Sequence, residues 1–464
     1  KPVDVPEGFF ADNFDTSGWE KIRVPSNWQM RGYGHAKFRN IALCFRAEPP
    51  KVPSDYNPVG LYRRYFQVPE LWQDRDILLR FEGVKAAARV WINGKYVGYN
   101  EGSFEPAEFD ITPFVTPGAN LVAVEVLRFC DGTFLENQDM WRLSGIFRDV
   151  KLTAVPKVRI HDIYTVTDLD EQYRDAHLHV SIDLKNTLSD RVTGYQLRAD
   201  VLRGTDPVLN NTMIVYPDIE GKSTQTIALK THVENPKKWS AEAPNLYTLL
   251  CQLLNKNGEI VEVFAQNLGF REVEICGDAL CINGVPVKFN AVNSHMHHPD
   301  HGQAVPLETL RRDLLLMKQH NINCVRTSHY PSSPEYLDLA DEIGMYVFDE
   351  VNDEAHSNTQ LSDDSLWTDL YKDRARKLVY RDRNHASVVV WSAGNESGSG
   401  ANIKAVIETG KRIDPSRPAW MYGGNKFYIP FEDIIGPRYW TPERLQRLAE
   451  GLETPQNDNR PSFM

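Results

Sequence analysis

Hydrophobic and polar residues alternate in twos over the first third of the chain. Tyr62–Val68, Asp76–Phe81, Ala88–Ile92 and Leu121–Leu127 each read as a strand with one buried face. Asn93 and Gly94, between Trp91-Ile92 and Tyr96-Val97, mark a two-residue hairpin, because both central positions of a type I′ turn need a positive φ. Pro113, Pro117 and Gly118 punctuate the pattern. Residues 1–155 are predicted to form a β-sandwich of jelly-roll type, a domain that could bind sugar by itself. Alternation continues in Leu178–Leu184, Tyr195–Val201 and Leu246–Leu250, with turns between and no helical period. An immunoglobulin-like β-sandwich over 156–272, holding its neighbours in place, is the economical reading.

From residue 273 the period changes. Strand-like runs at Val287–Val292, Asn323–Arg326, Tyr346–Asp349, Val388–Trp391, Ala419–Tyr422, Ile434–Tyr439 and, incompletely, Pro461–Met464 are separated by helical stretches. Leu307, Leu310, Leu314 and Met317 recur at spacings of three and four, the stripe of an amphipathic helix. The next helix starts with Ser333 as N-cap and Pro334 at its first position, and stops at Gly344. This βαβα order implies a parallel sheet. No glycine-rich phosphate loop follows the first strand. Polar groups recur just past successive strands, which favours a (β/α)8 barrel over an open doubly wound sheet.

Those polar groups are the candidate chemistry. Asn293–His298 follows the first strand, Arg326–Tyr330 the second and Asp349–His356 the third; Asn395-Glu396 follows the fourth and Tyr439 ends the sixth. A carboxylate beside an amide at a strand end suits general acid/base work, and it equally suits a cap on the helix that follows Gly398 and Gly400. Glu354 and His356, two apart, can converge from one loop on a hard cation; with Glu396 nearby the set would suit Mg²⁺, and the alternative is a hydrogen-bonded network without metal. The His295, His297 and His298 cluster is a weaker metal candidate because it holds no carboxylate. In the loop Glu136–Asp149, Asp139 beside Trp141 is a sugar contact or, equally, a structural Asp139–Arg142 pair under the indole.

Composition narrows the classes. The net charge of −11 and the lack of a dense basic run argue against nucleic acid, and no apolar stretch approaches the roughly 18 residues a membrane span needs. Six scattered cysteines fit neither a zinc ribbon nor a disulfide scaffold; they read as thiols, with Cys276 and Cys281 close enough for a bridge. A cytoplasmic location is expected. The chain opens on Lys1 rather than Met, so an upstream segment and export to the periplasm stay open.

Several segments, in order along nearly the whole chain, resemble glycoside hydrolase family 2, and within it the large bacterial β-galactosidases of the lac-operon type. They are Val24–Met30, Gln138–Arg142 with Ser144–Val150, Val292–His298, Val325–Pro331, Phe348–Glu350 with Glu354 and His356, and Gly394–Gly398. The resemblance implies a retaining exo-glycosidase that releases terminal β-D-galactosyl residues, as from lactose, through a covalent galactosyl-enzyme. It implies Glu396 as general acid/base, Asn395 on the sugar 2-hydroxyl, and Glu354, His356 and Glu396 as ligands of Mg²⁺. His295, His329 and Tyr439 would line the galactosyl site, Arg326 would steady the nucleophile, and Asp139 would bind galactose hydroxyls and help hold Na⁺. Two departures stand out: Glu48 occupies a turn (Arg46–Pro50) where members carry an Asn that reaches the sugar, and Ser294 and Met296 replace the Arg and Glu that flank the equivalent of His295. In this clan the nucleophilic Glu ends strand seven, and the run starting at Pro461 would be the start of that strand. The expectation is a barrel incomplete before the end of strand seven, with the nucleophile outside this chain and the chain alone inactive. The resemblance also implies a homo-oligomer for the longer protein. β-Glucuronidase or β-mannosidase activity within the family, and non-catalytic carbohydrate binding, are the alternatives.

Overall fold

The computed structural model describes residues 5–422, 431–436, 440–450 and 460–461. The first alternating stretch forms two antiparallel sheets. Val59–Val68, Gly118–Leu127, Ala87–Ile92 and Lys95–Glu101 are neighbours in one sheet, and Val150–Pro156, Arg75–Phe81 and Ala107–Asp110 in the other. Their inward residues, among them Ile77, Leu79, Phe81, Val90, Ile92, Val124 and Val126, share one core. The hairpin closes as expected, with Ile92 opposite Lys95 and positive φ at Asn93 (49°) and Gly94 (80°).

The second stretch also forms paired sheets. Val158–Leu169, Ala176–Asn186 and Ser223–Val233 make one; Gln196–Arg203, Tyr247–Leu254 and Ile260–Leu268 run through the other. Burial alternates strictly along Ala176–Asn186, the signature of a sheet with one face on a core. This sandwich grips its neighbour at several points. Arg271 donates to the carbonyls of Ala386 (2.9 Å) and Val388 (3.0 Å), Trp239 Nε1 to that of Asp341 (2.9 Å), and Tyr164 Oη to Asp414 (2.8 Å).

The third stretch is the parallel part of a (β/α) barrel: β1 (Ala291–Asn293), α1 (Leu307–Gln319), β2 (Cys324–Arg326), α2 (Pro334–Ile343), β3 (Tyr346–Glu350), α3 (Thr368–Asp382), β4 (Val388–Asn395), α4 (Ala401–Ile413) and β5 (Ala419–Tyr422). Strands pair in sequence order. β4 is buried at all eight positions, which is why it reads as an apolar run without alternation. Beyond β5, Asp433 N donates to Ala419 O (2.9 Å) and Ile435 N to Pro461 O (2.8 Å), so the Ile434 run lies between β5 and Pro461. Tyr439 and the rest of the run after Pro461 fall outside the described residues.

Two expectations need correction. The first barrel strand was placed at Val287–Val292, but the ladder begins at Ala291. Val285-Pro286 pairs antiparallel with Ala279–Ile282 instead, and Val287 and Phe289 pack against the cluster that holds Tyr346, Phe348 and Trp420, with Val287 N donating to Leu280 O (3.0 Å) rather than to a barrel strand. Their apolar character reflects burial, not a ladder. Leu307 belongs to the helical stripe by spacing yet is 52% exposed, because it opens α1; Leu310 and Leu314 carry the core contact. Cys276 and Cys281 are free thiols, as the scattered spacing of the cysteines predicts.

The first sandwich and the barrel share a core. Phe104, Phe134, Leu135, Met140 and Phe147 belong to the same buried cluster as Val325, Tyr330, Val347, Val351 and Trp391. Phe104 stacks nearly parallel on Tyr330, 3.8 Å between ring centroids and 9° between planes, a large apolar contact. Among the described residues no helix is long and apolar enough to cross a membrane.

Candidate active site

The C-terminal ends of β1 to β4 bring Asn293, Arg326, Glu350 and Asn395 side by side; Asn293 lies opposite Arg326 in register and Glu350 opposite Ser392. Arg326 is buried and organises this floor. Its Nε donates to Glu350 Oε2 (2.5 Å), its Nη2 to Asn395 Oδ1 (2.9 Å) and its Nη1 to Asn293 Oδ1 (3.4 Å), while the guanidinium lies 5.3 Å from the Trp420 ring. Glu350 also accepts from His329 Nδ1 (2.8 Å) and Ser392 Oγ (2.6 Å). Burial works to raise its pKa, but Arg326 and His329 outweigh it and hold the carboxyl down to about 2. His295 sits with Nδ1 3.3 Å from Tyr330 Oη and its ring edge-on to His329 at 5.3 Å. Partial desolvation, reinforced by His329 and His297, lowers its pKa although part of the ring faces solvent, so it is neutral at ordinary pH.

Glu396 follows this floor in a left-handed backbone conformation, φ 44°, rare for a residue with a side chain. The turn that produces it depends on Gly394. At φ 125° a Cβ there would stand 2.6 Å from Asp353 O, the carbonyl that accepts from Asn395 N (2.9 Å). Ser397 Oγ donates to Asp353 Oδ1 and accepts from Ala355 N, both at 2.8 Å, tying the turn after β4 to the loop after β3. Burial pushes the Asp353 carboxyl up to about 8.

The loop after β3 meets the first sandwich through backbone. Glu354 N donates to Leu135 O and Asn137 N to Glu354 O, both at 2.8 Å. This places Asp139 beside Glu354 and His356: His356 Nδ1 is 3.3 Å from Glu354 Oε1 and 3.5 Å from Asp139 Oδ1, while His356 Nε2 pairs with Glu396. Asp139, Glu354 and His356 offer three ligand atoms within 4.8 Å of one another. Both Glu354 carboxylate oxygens and Asp139 Oδ1 are buried and accept no hydrogen bond. Buried carboxylate oxygens without donors are costly unless a cation meets them, so this cluster fits a hard divalent ion. Trp141, in the short strand Met140–Arg142 that follows Asp139, is 47% exposed and packs edge-on against exposed Phe38 at 6.0 Å.

The residues singled out by sequence thus divide. His295, Arg326, His329, Asn395, Glu396, Glu354, His356 and Asp139 converge. Glu48 does not join them: it stays in its exposed turn, paired with Arg46 at 3.2 Å. Arg142 does not pair with Asp139 but donates to Glu136 O (3.0 Å) and Asn137 Oδ1 (2.7 Å), because its guanidinium points back under its own loop. Sequence reasoning passed over Glu350 and Asp353. Glu350 is an acid at the last position of an otherwise apolar strand, and that signal was available.

Family models match the chain from end to end: a glycosyl hydrolases family 2 sugar binding domain at residues 1–156, glycosyl hydrolases family 2 at 158–271, and the family 2 TIM barrel domain at 273–463. A β-galactosidase of Pseudoalteromonas haloplanktis is 41% identical over 450 residues, covering 95% of this chain and 42% of that protein. One from Vibrio vulnificus (strain CMCP6) is 42% identical over 448 residues, with 94% and 42% covered. The chain therefore spans less than half the length of these relatives. Among solved structures, a Bacteroides uniformis β-glucuronidase superposes with a TM-score of 0.80 at 23% identity, over 99% of this chain and 57% of its own, a likeness of fold.

Proposed function

The chain belongs to glycosyl hydrolase family 2, and from that premise we propose that the protein carrying it is a retaining exo-β-galactosidase. The observation that carries the reading is the convergence of Glu396, Asn395, His329 and Asp139 at one end of the barrel, in a chain over 40% identical to β-galactosidases. Glu396 is the general acid that protonates the glycosidic oxygen and then the base that activates water. Its left-handed backbone and its pairing with His356 hold the carboxyl in one orientation. The nucleophile is assigned outside the described residues. Glu350 is unsuited to the role because both its oxygens are engaged by Arg326, His329 and Ser392. Asn395, with Oδ1 held by Arg326, keeps its amide nitrogen for a sugar hydroxyl. Exposed Trp141 beside Asp139 supplies an apolar surface for a pyranose face. Tyr439 is retained as a further galactosyl contact.

Glu354 and His356 would hold Mg²⁺ with Asp139 in place of the expected Glu396, whose carboxylate meets the opposite, Nε2 side of the His356 ring; the part proposed for Asp139 in Na⁺ binding is secondary. When bound, the ion would supply positive charge that lowers the pKa of neighbouring carboxyls. Chelation is therefore expected to displace the alkaline limb of the kcat/KM–pH profile, which the general acid Glu396 sets, upward. An unchanged profile with and without chelator would leave Asp139, Glu354 and His356 as structural contacts.

The expected result is hydrolysis of p-nitrophenyl β-D-galactoside at least about 100-fold faster, in kcat/KM, than of the β-glucuronide or β-mannoside, equivalent to about 2.7 kcal/mol of discrimination. Preference for either competitor would overturn the galactosidase reading while leaving a family 2 hydrolase. We place the protein in solution acting on a small carbohydrate, as a homo-oligomer.

A further inference from the structure

We propose that Glu350 is a positioning residue that fixes the hydrogen-bonding polarity of the site, leaving His329 Nε2 as an acceptor and Asn395 Nδ2 as a donor toward the sugar. The inference rests on the galactosidase reading for its substrate, but its geometry stands alone. Glu350 ends β3 with no exposed side-chain surface, and its carboxylate receives three donors from neighbouring strand ends: Arg326 Nε, His329 Nδ1 and Ser392 Oγ. Its own backbone N–H donates to Thr327 Oγ1 (2.9 Å), so main chain and side chain are both pinned.

An ionised carboxylate only accepts. Glu350 is ionised throughout the working range, so the His329 nitrogen 2.8 Å away must carry the proton. In the neutral imidazole that leaves Nε2 bare, and Nε2 has no hydrogen-bond partner among the described residues. The side chain keeps 14% exposure, which a ligand hydroxyl can use. The same logic fixes Asn395. Guanidinium only donates, so the Asn395 atom 2.9 Å from Arg326 Nη2 is the oxygen, and the amide nitrogen is left for the ligand. Arg326 can reach Asn395 in this pose because its Nε is held by Glu350. One buried carboxylate thus sets an acceptor and a donor on two different loops. A pyranose without a hydroxyl facing either group would leave that group unpaired, which is costly in a desolvated site.

Two measurements on the full protein that carries this chain test it. Neutron diffraction from deuterium-exchanged wild-type crystals is expected to show deuterium on His329 Nδ1 and none on Nε2. Deuterium on Nε2, whether or not Nδ1 also carries it, would overturn the assignment, whatever the enzyme hydrolyses. In kinetics, Glu350→Gln is expected to lower kcat/KM about 10–100-fold, the usual cost of losing an orienting partner. A panel of monodeoxy aryl galactosides gives the readout that a structural role would not move. Wild type should penalise at least one deoxy substrate strongly, and Glu350→Gln should shrink that penalty while the others stay put. A uniform loss across the panel, with a lowered unfolding midpoint, would make Glu350 merely structural. Failure of the wild type to cleave any aryl β-galactoside would sink the galactosidase reading instead, with the neutron result still deciding the tautomer.

Discussion

Glu396→Gln is expected to reduce kcat/KM for alkyl β-galactosides by about 10²–10⁴-fold, while aryl galactosides with acidic phenol leaving groups lose far less. An alkoxide cannot depart without a proton, whereas a nitrophenolate can. The comparison belongs in kcat/KM, which ends at the first irreversible step and so excludes the later attack of water. Glutamine keeps the shape of the side chain and can still contact His356, so the left-handed turn at Glu396 and the floor beneath it should persist. Equal losses on both leaving-group classes would remove Glu396 from the acid role; it does not cap the following helix, whose N-cap is Gly400 without a side-chain bond.

The second large effect is on stability. Arg374, on α3, is 1% exposed and joins two domains: Nη1 meets Glu136 Oε1 (3.0 Å) and donates to Asn352 O (2.5 Å), and Nη2 donates to Gly132 O (3.2 Å). Removing it would strand Glu136, which is buried and also holds Ser103 and Asn352. Loss of one partner of a buried pair typically costs about 3–5 kcal/mol, so Arg374→Met should lower the denaturant midpoint by a corresponding amount, and adding Glu136→Gln should recover part of it. A shift below about 1 kcal/mol would mean that the charge is compensated elsewhere. The pH dependence has a definite sign. Burial tends to raise the Glu136 pKa, but Arg374, Lys85 and Ser103 bring it below its ordinary 4.5. A depressed carboxyl contributes fully above its unfolded pKa, and that stability is lost as pH falls through the folded value. The wild type should therefore weaken in acid by more than Arg374→Met does.

These two residues illustrate what a linear reading can reach. Glu396 was accessible because an apolar run, a glycine break and a carboxylate follow one another in a few residues, and buried parallel strands end that way. Arg374 was not. On its helix it looks like one more basic residue among Lys372, Arg376 and Lys377, and only the sandwich packed over that face turns it inward. Arg142 shows the converse: its nearness in sequence to Asp139 suggested a pair, yet backbone and amide acceptors in its own loop satisfied it first.

The order of strands and helices, the Asn93-Gly94 hairpin, the polar residues past β1 to β4 and the family itself were all determined by the sequence alone, since periodicity and turn chemistry are local properties. What only the tertiary structure decided is which distant charges meet. Asp139 joins Glu354 and His356 because backbone bonds between Leu135, Asn137 and Glu354 dock the first sandwich onto the barrel. Glu350 becomes the acceptor for Arg326, His329 and Ser392 because parallel register aligns three strand ends. Local pattern specifies the face a side chain takes. Its partner is set by the packing of elements far apart in the chain, where low dielectric makes each pairing strong.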